Sequence, residues 1–467
     1  MNLALATATE LLELYQTKQA SPVDAVRACL AQIARHDPEL GAFVWRDDEA
    51  SLAAARESEA RWQRGAPMGA LDGVPVTIKD LVLTRGVPTL RGSRTIDPAG
   101  PWTGDAPATA RLREAGAIIL GKTTTPEMGW KAVTDGPLTG VARNPWDASR
   151  TPGGSSGGAG IAAATGMGAL HVGTDGGGSI RVPSSFCGIF GLKPSFGRVP
   201  AWPLSPTGTV AHLGPMTRSV QDAALMMNAI TQPDARDWHA LPFDARDYRE
   251  GLGDGIAGAR VAWSPRLGRF TVEREVDAIT REAVRALADA GAHVEEADPP
   301  LPDVHAIFRV HWWIGCYNAV RSIAPERRAL MDPGLVRIAD EARSLGLDDY
   351  LDAIAARGAF GASMRTFHER YDFLVTPTVA VAPFTAGTLA PESLGDVGSD
   401  WTTWASFSYP FNLTQQPAAT VPCGFTASGL PIGLQIVGAM HDDRGVLRAA
   451  RAFERARPWQ PSYARFA

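Results

Sequence analysis

The chain has 467 residues, of which 45% are hydrophobic and 20% are charged, and its formal net charge is −5. These values are those of an ordinary globular protein, so they exclude a disordered chain and give no reason to expect nucleic acid or an anionic membrane as a partner. The N-terminus lacks a signal-peptide pattern, no apolar stretch is long enough for a membrane helix, and the four cysteines show no paired spacing. We therefore expect a cytoplasmic protein with reduced thiols.

The first sixty or so residues are predicted to be helical. Ser21 and Asp24 form the pattern of a capping box, with Pro22 in the first turn, and apolar residues follow at helical spacing. Cys29 falls inside this helix, where we expect a small side chain packed in the core.

From about residue 73 onward, apolar runs alternate with helical patterns. Buried strands are predicted at 73–78, 117–120 and 169–173, and helices at 107–115 and 161–165. This alternation is typical of an α/β fold.

The second half of the chain continues the alternation. A helix is predicted to begin at Ser219, and the other elements are, in chain order, a strand at 261–263, a helix at 273–290, a strand at 293–295, mainly helix over 304–370, a strand at 373–375, a hairpin of 419–425 and 431–437, and a helix at 444–456. The sequence contains no repeat, linker or low-complexity segment, which predicts one continuous domain.

Two glycine-rich turns between residues 151 and 194 each carry a serine, Ser155 and Ser179. Glycine lets the backbone form left-handed turns and approach a ligand closely, because it has no Cβ. Both serines fall at junctions between predicted elements, where catalytic groups are commonly displayed. This stretch therefore predicts a reaction centre with two hydroxyl groups.

Lysine is rare in this chain, since only five of the 45 basic residues are lysines. An arginine side chain does not lose its proton in proteins, whereas a lysine amine can. A site that uses an amine able to lose its proton must therefore contain one of the five lysines, which are Lys18, Lys79, Lys122, Lys131 and Lys193.

Several short motifs match known sites by spacing alone. Residues 116–123 fit the phosphate-binding pattern G-x-x-x-x-G-K-[ST], but their middle residues are a predicted strand instead of a loop. Residues 153–157 fit G-x-S-x-G, yet a loop precedes them where a hydrolase elbow needs a strand. No serine stands three positions before a lysine, and the histidines show no metal-ligand spacing. These patterns leave a serine that is activated without histidine, metal or cofactor.

A longer set of motifs follows a fixed order over most of the chain. The motifs are GVPVTIKD at 73–80, AGAIILGKTTTPEMGW at 115–130, GVARNPWDASRTPGGSSGG at 140–158, VGTDGGGSIRVPSSFCGIFGLKPSFGRV at 172–199, SYPFNLTQQPAATVPCGF at 408–425 and GLPIGLQIVG at 429–438. Together they resemble the amidase signature family, in its free-standing amidase branch.

The resemblance implies a fold for the whole chain. We expect a single large α/β domain in which a central mixed β-sheet is covered by helices on both faces. Within it, residues 1–65 would supply N-terminal helices, 66–235 the catalytic core, and 236–467 pocket helices and returning strands.

The resemblance also implies a Ser-cisSer-Lys triad formed by Ser179, Ser155 and Lys79, which hydrolyses a carboxylic amide. A free lysine has a pKa of about 10.4 and is protonated at pH 7, so Lys79 acts as a base only where burial lowers that pKa. Lys79 then takes a proton from Ser155, and Ser155 takes one from Ser179. The Ser179 oxygen attacks the amide carbonyl, and water later hydrolyses the acyl-enzyme.

The residues next to the nucleophile complete the expected site. An oxyanion hole is expected from four successive backbone N–H groups, those of Gly176, Gly177, Gly178 and Ser179. By the resemblance, Asp175 and Arg181 support this loop. Gly176 departs from the threonine that is commonest in the family, as in TDTGGS, which leaves the substrate subgroup open.

The substrate side is less marked in the sequence. The resemblance and the aromatic content point to Met128, Trp130 and Cys316 as substrate-binding residues, with further candidates at Trp312, Trp313, Trp401 and Trp404. The expected partners are a small amide, aromatic or apolar, and a second copy of the chain in a homodimer. Neither nucleic acid nor a membrane is expected.

One relative within the same family offers an alternative. The A subunit of the aspartyl/glutamyl-tRNA amidotransferase is a glutaminase that works with a protein partner and tRNA. This chain reads TPEMGW at 125–130, where that subunit resembles DEFAMG. The difference favours the free-standing amidase.

Overall fold

Helices and strands alternate along the computed structural model, which describes residues 2–395, 398 and 400–467. The helices are α1 (Ala8–Gln16), α2 (Pro22–Leu40), α3 (Asp48–Gln63), α4 (Pro107–Glu114), α5 (Gly157–Thr165), α6 (Arg181–Cys187), α7 (Val220–Ile230), α8 (Arg274–Asp289), α9 (Val304–Val320), α10 (Pro333–Glu341), α11 (Leu347–Arg370), α12 (Pro410–Leu413) and α13 (Asp443–Ala456). The strands are β1 (Phe43–Arg46), β2 (Pro75–Lys79), β3 (Ile118–Thr123), β4 (Asp135–Gly136), β5 (Gly140–Val141), β6 (Leu170–Asp175), β7 (Phe190–Lys193), β8 (His212–Thr217), β9 (Arg260–Trp263), β10 (His293–Glu296), β11 (Phe373–Pro377), β12 (Ala418–Phe425) and β13 (Pro431–Gly438).

Local capping explains where the clearest helices begin. At α2, Ser21 Oγ accepts the Asp24 N–H at 3.2 Å, and the Asp24 carboxylate accepts the Ser21 N–H at 3.0 Å. At α7, Ser219 Oγ accepts the N–H of Asp222 at 3.2 Å. Each cap satisfies N–H groups that have no partner within the helix. Both predicted helix starts are confirmed, and Cys29 lies buried in α2 as expected.

The centre of the molecule is a mixed sheet whose eleven strands, in the described chain, lie in the order β1-β3-β2-β6-β8-β7-β12-β13-β11-β9-β10. Parallel pairs occur in the β3-β2-β6 and β11-β9-β10 sections, and the strands between them are antiparallel. The predicted hairpin is the antiparallel pair β12 and β13. Helices flank the sheet, which confirms the expected single α/β domain.

Three strands of the sheet were absent from the prediction. Strand β1 lies within the first 65 residues, where only helices were expected, and pairs antiparallel with β3 at the sheet edge. Strands β7 and β8 pair with each other near the middle. All three strands have only four to six residues, and β7 and β8 also contain glycine or proline, so their patterns are too short to identify a strand.

Two neighbouring parallel strands place the candidate residues at the carboxyl ends of the strands. Lys79 is the last residue of β2, and Asp175 is the last residue of its neighbour β6. Ser155 and Ser179 lie in the turns just before α5 and α6. Ligands of open α/β sheets commonly bind beyond the carboxyl ends of the strands. The fold therefore gathers both glycine-rich turns around the end of β2.

The expectation of reduced thiols agrees with the positions of the cysteines. Each of the four cysteines is a buried, free thiol. Within the ranges that the structure describes, no helix combines the length and apolarity that crossing a bilayer requires.

Candidate active site

Lys79 lies at the centre of a cluster of hydroxyl groups. Its Nζ is 2.7 Å from Ser155 Oγ, 2.8 Å from Ser156 Oγ and 2.9 Å from Thr174 Oγ1. Ser156 and Thr174 were not singled out in the sequence, although both stand next to predicted site residues. Three hydroxyl oxygens thus surround an amine that could exchange protons with any of them.

Burial favours the neutral form of that amine. The Lys79 side chain is fully buried, and this loss of solvation moves its pKa well below the usual lysine value, against the weaker opposing effect of the Asp175 charge. Burial disfavours the charged form of a lysine because the ammonium ion loses its hydration. A neutral Lys79 could accept a proton from a neighbouring hydroxyl.

The other lysines have different environments. Lys122 and Lys193 are also buried, but each bonds a backbone carbonyl oxygen, and Lys131 is ion-paired with two aspartates. Lys18 is exposed. Four of the five lysines are therefore buried, and the contacts with serine hydroxyls distinguish Lys79 from the other three.

The two serine turns are joined by a backbone contact. The Ser156 N–H donates to the Ser179 carbonyl oxygen at 3.1 Å, and the Gly154–Ser155 peptide bond is cis. Ser155 and Ser179 line the same cavity. Their hydroxyls form no hydrogen bond with each other in the described chain.

The loop that carries Ser179 is held by a buried carboxylate. Asp175 accepts the Gly178 N–H at 2.7 Å and the Ile180 N–H at 3.2 Å, and Arg181 donates to both carboxylate oxygens at 2.9 Å. Although burial acts in the opposite direction, the charge and hydrogen bonds of Arg181 lower the pKa of Asp175 below its usual range. Asp175 is therefore ionised and orders the turn.

Arg181 connects this loop to the distant C-terminal strands. Its Nη1 donates to Ser408 O and Gln435 Oε1 at 2.7 Å each, and its Nη2 donates to Asn412 Oδ1 at 2.6 Å. Removing one partner of such a buried, hydrogen-bonded charge pair is strongly destabilising. Asn412 and Gln435 belong to the motifs near the C-terminus, but their spacing gave no sign that they meet Arg181.

The structure modifies the expected oxyanion hole. Because the Gly178 N–H is directed at Asp175, it is not free to bind a developing oxyanion. The N–H groups of Gly176, Gly177 and Ser179 make no hydrogen bond to the described part of the chain. Gly178 has a φ of +124°, and a Cβ there would lie 2.3 Å from Ser408 Oγ, so only glycine fits that position.

The Trp312 side chain leaves no room for a side chain at position 176. A Cβ on Gly176 would lie 2.8 Å from Trp312 Cζ3, a distance that real Cβ contacts do not tolerate. The Trp312 ring is fixed, since its Nε1 donates to Trp130 O at 2.9 Å and it stacks on Phe308 with centroids 5.3 Å apart. Trp312 therefore occupies the space that a threonine side chain at position 176 would need.

Gly176→Thr should therefore lower kcat/KM for an amide by about 100-fold, because the clash with Trp312 shifts the catalytic loop. The double variant Gly176→Thr with Trp312→Ala should recover part of this loss, since the smaller side chain leaves room for the threonine. Steady-state kinetics of the native chain, the two single variants Gly176→Thr and Trp312→Ala, and the double variant check the expectation. Native kinetics in Gly176→Thr would show that the loop tolerates the side chain.

A cavity of about 160 Å³ opens beside the two serines. Most of its wall is apolar, and much of it comes from the segment 196–213, in which Trp202 and Leu204 are partly exposed. Met128 and Trp312 line this cavity, whereas Trp130 and Cys316 are not among its lining residues. The carbonyl oxygen of Trp130 accepts the indole N–H of Trp312, which does line the cavity. Cys316 is buried on α9, and burial raises the pKa of its thiol.

Comparison with known proteins relates nearly the whole chain to amidases. The Amidase family model matches residues 24–447. An acylamidase of Rhodococcus erythropolis is 38% identical over 98% of this chain and 97% of its own length. The A subunit of the glutamyl-tRNA(Gln) amidotransferase of Myxococcus xanthus (strain DK1622) is 35% identical over 97% of this chain and 98% of its own length.

Solved structures agree with this relationship. The crystal structure of a bacterial aryl acylamidase of the amidase signature enzymes superposes with a TM-score of 0.91, at 30% identity and 98% coverage of both chains. This chain belongs to the amidase family and is an enzyme that hydrolyses amide bonds.

Proposed function

We propose that this enzyme cleaves a carboxylic amide through an acyl-enzyme on Ser179, with Ser155 and Lys79 as the proton relay. The observation that carries this proposal is the buried Lys79 amine, which lies 2.7 Å from Ser155 Oγ in the cavity that also holds Ser179. A serine hydroxyl is a weak nucleophile until a neighbouring base accepts its proton. Here a lysine with a lowered pKa takes the place that histidine has in many hydrolases.

In the first half-reaction, Lys79 takes the proton of Ser155 as Ser155 takes that of Ser179. The Ser179 oxygen then bonds to the amide carbon, and the carbonyl oxygen becomes negative. The C–N bond breaks as Ser155 gives the proton from Ser179 to the leaving nitrogen, and Lys79 returns its own proton to Ser155. The products are an ester on Ser179 and free ammonia or amine.

In the second half-reaction, water gives a proton to the same relay and attacks the ester. The carboxylic acid leaves, and Ser179 recovers its proton. Because the two serine hydroxyls form no hydrogen bond with each other in the described chain, this relay requires the Ser179 side chain to approach Ser155 when substrate binds. Catalytic hydrogen bonds often tighten only in the substrate complex.

Charge on the carbonyl oxygen needs donors that are already in position. The N–H groups of Gly176, Gly177 and Ser179 have no acceptor in the described chain and lie in the turn that presents the nucleophile. The ionised Asp175 holds that turn through Gly178. We therefore assign the oxyanion hole to these three N–H groups, each worth about 100-fold or more in rate.

The proposed substrate is an amide with an aromatic or apolar body. The apolar wall of the cavity supports this class, as do the acylamidase and the aryl acylamidase among the relatives. Hydrophobic and aromatic linings are typical of pockets that bind small organic ligands.

The test uses the purified single chain with a panel of anilides, aliphatic primary amides and glutamine. We expect release of aniline at measurable rates and, under rapid quench, a mass increase on the peptide that contains Ser179. The identity to amidotransferase A subunits supports one second candidate, a glutaminase. Activity on glutamine alone, and only with added partner protein and tRNA, would establish that second candidate.

The assembly that we propose is a homodimer. An exposed apolar row on α11 supports it, with Leu347, Leu351 and Ile354 exposed by 71%, 51% and 44%. Contiguous exposed apolar patches commonly mark association surfaces. Sedimentation velocity of the native chain and of Leu351→Glu distinguishes a dimer formed through this row from a monomer.

A further inference from the structure

The cavity contains an arginine with no partner. Arg91 lines the cavity together with Ser155 and Ser179, and its guanidinium forms no hydrogen bond or ion pair with any residue that the structure describes. The side chain is half-buried, and burial lowers its pKa from the usual arginine value. A guanidinium has five N–H donors and remains charged in proteins.

Nearby carboxylates are already engaged. Asp80 accepts the N–H groups of Leu90 and Gly92, both at 3.0 Å. Asp237 accepts the Ala201 N–H at 2.8 Å and the His239 N–H at 2.9 Å. Asp175, the remaining carboxylate on the cavity wall, is paired with Arg181. The charge of Arg91 therefore has no compensating carboxylate in contact with it.

The backbone holds Arg91 in an uncommon conformation. Its φ is +55°, in the left-handed region, and Met128, which also lines the cavity, has a φ of +53°. The Arg91 N–H donates to Asp80 O at 3.0 Å, and Arg91 O accepts the Met128 N–H at 2.7 Å. A left-handed conformation is unfavourable for a residue other than glycine, and such strain is concentrated at functional sites.

These contacts attach Arg91 to the catalytic residues. Asp80, which orders the backbone on both sides of Arg91, directly follows Lys79 in the chain. Met128 joins the same loop to the cavity wall. The arginine backbone is thus held on a hydrogen-bonded support in the cavity wall, although its guanidinium forms no hydrogen bond or ion pair with the described residues.

We propose that Arg91 binds a carboxylate of the substrate, at a point separate from the amide that reacts, so that the enzyme prefers amides that carry an acid group. The inference rests on the proposed function, because it requires the reactive amide to lie at Ser179. A carboxylate matches the planar fork of a guanidinium through two parallel hydrogen bonds. The rest of the substrate would lie against the apolar wall.

The first experiment compares the mono-anilide of succinic acid with its methyl ester, which differs only in the charged group. The native enzyme should favour the acid by at least about tenfold in kcat/KM, mainly through KM. Arg91→Met should lose about 10- to 100-fold on the acid and about threefold or less on the ester, since a hydrogen bond to a charged group is worth that much. Arg91→Lys should recover only part, because it lacks the fork.

Arg94→Met is the matched control, since Arg94 is exposed on the same loop and is not among the cavity-lining residues. It should leave both rates unchanged. Arg91→Met should also unfold at or above the native temperature, because it removes a partly desolvated charge without breaking a contact. A lower unfolding temperature with equal losses on both substrates would assign Arg91 a structural role and overturn the proposal.

A binding experiment separates this inference from the proposed mechanism. Calorimetry with Ser179→Ala should show the acid binding at least about tenfold more tightly than the ester, and the additional Arg91→Met change should remove that preference. Equal binding of the two compounds to Ser179→Ala would overturn the role of Arg91 even if amides are hydrolysed. Tight binding of the acid together with native turnover in Ser179→Ala would instead overturn the nucleophile and leave Arg91 in place.

Discussion

Ser179→Ala should abolish amide hydrolysis, with kcat reduced by up to about a millionfold, as found when the nucleophile of a catalytic triad is removed. The variant retains the buried lysine and the free N–H groups but has no oxygen that can form the acyl-enzyme. The fold should be unchanged, since the Ser179 hydroxyl makes no hydrogen bond within the described chain. Anilide hydrolysis, circular dichroism and mass spectrometry of the quenched enzyme check these expectations.

Ser195→Ala provides the matched control. Ser195 is buried on the same cavity wall, and its Oγ has no hydrogen-bond partner among the described residues. Its loss should change kcat by only a few-fold. If Ser195→Ala were inactive and Ser179→Ala were active, Ser179 would not be the nucleophile.

Lys79→Met should lower kcat at pH 7 by roughly 10⁴-fold, at the upper end of what a general base contributes. Methionine fills a similar volume but leaves Ser155 without a proton acceptor. Lys18→Met, at an exposed position, should retain native activity and serves as the control. Retention of a tenth or more of the native rate by Lys79→Met would show that the reaction does not use this base.

The pH dependence follows from the same amine. In the proposed relay the active form of Lys79 is neutral, and burial lowers the pKa of this amine, so kcat/KM should rise with pH through that lowered pKa and then level off. Between the lowered pKa and 10.5, the unfolded chain binds a proton at this site that the native chain does not. Native stability should therefore rise with pH across this window.

In the native chain, folding at neutral pH must remove the proton from Lys79, which lowers stability. Lys79→Met has no such cost, so it should be more stable than the native chain at neutral pH, and the difference should shrink as pH rises. Urea unfolding of both proteins at pH 6 and pH 9 measures this difference in the free energy of unfolding. A variant that is less stable at pH 6 would show that the hydroxyl contacts of Lys79 outweigh the loss of hydration. The activity and stability results thus test the lowered pKa independently.

Local sequence predicted most of the elements of the fold. Caps such as Ser21 with Asp24, and apolar runs such as the one that ends at Lys79, depend on neighbours a few residues apart, so they can be identified from the chain itself. The fixed order of the motifs likewise indicated the family, and with it Lys79, Ser155 and Ser179. Strands β7 and β8 were missed because their hydrogen bonds join segments that carry no pattern of their own.

The contacts that shape the site were decided by tertiary structure. Glycine at position 176 was visible as a departure, but only the fold brings Trp312, 136 residues later in the sequence, against it. The sequence also could not show that the Gly178 N–H is occupied by Asp175, or that Arg91 has no partner. The sequence by itself determined the reaction type, because each of the motifs that indicate the family is an unbroken run of residues. The tertiary structure decided the pocket, because a side chain's free donors and available space depend on residues that are distant in the chain.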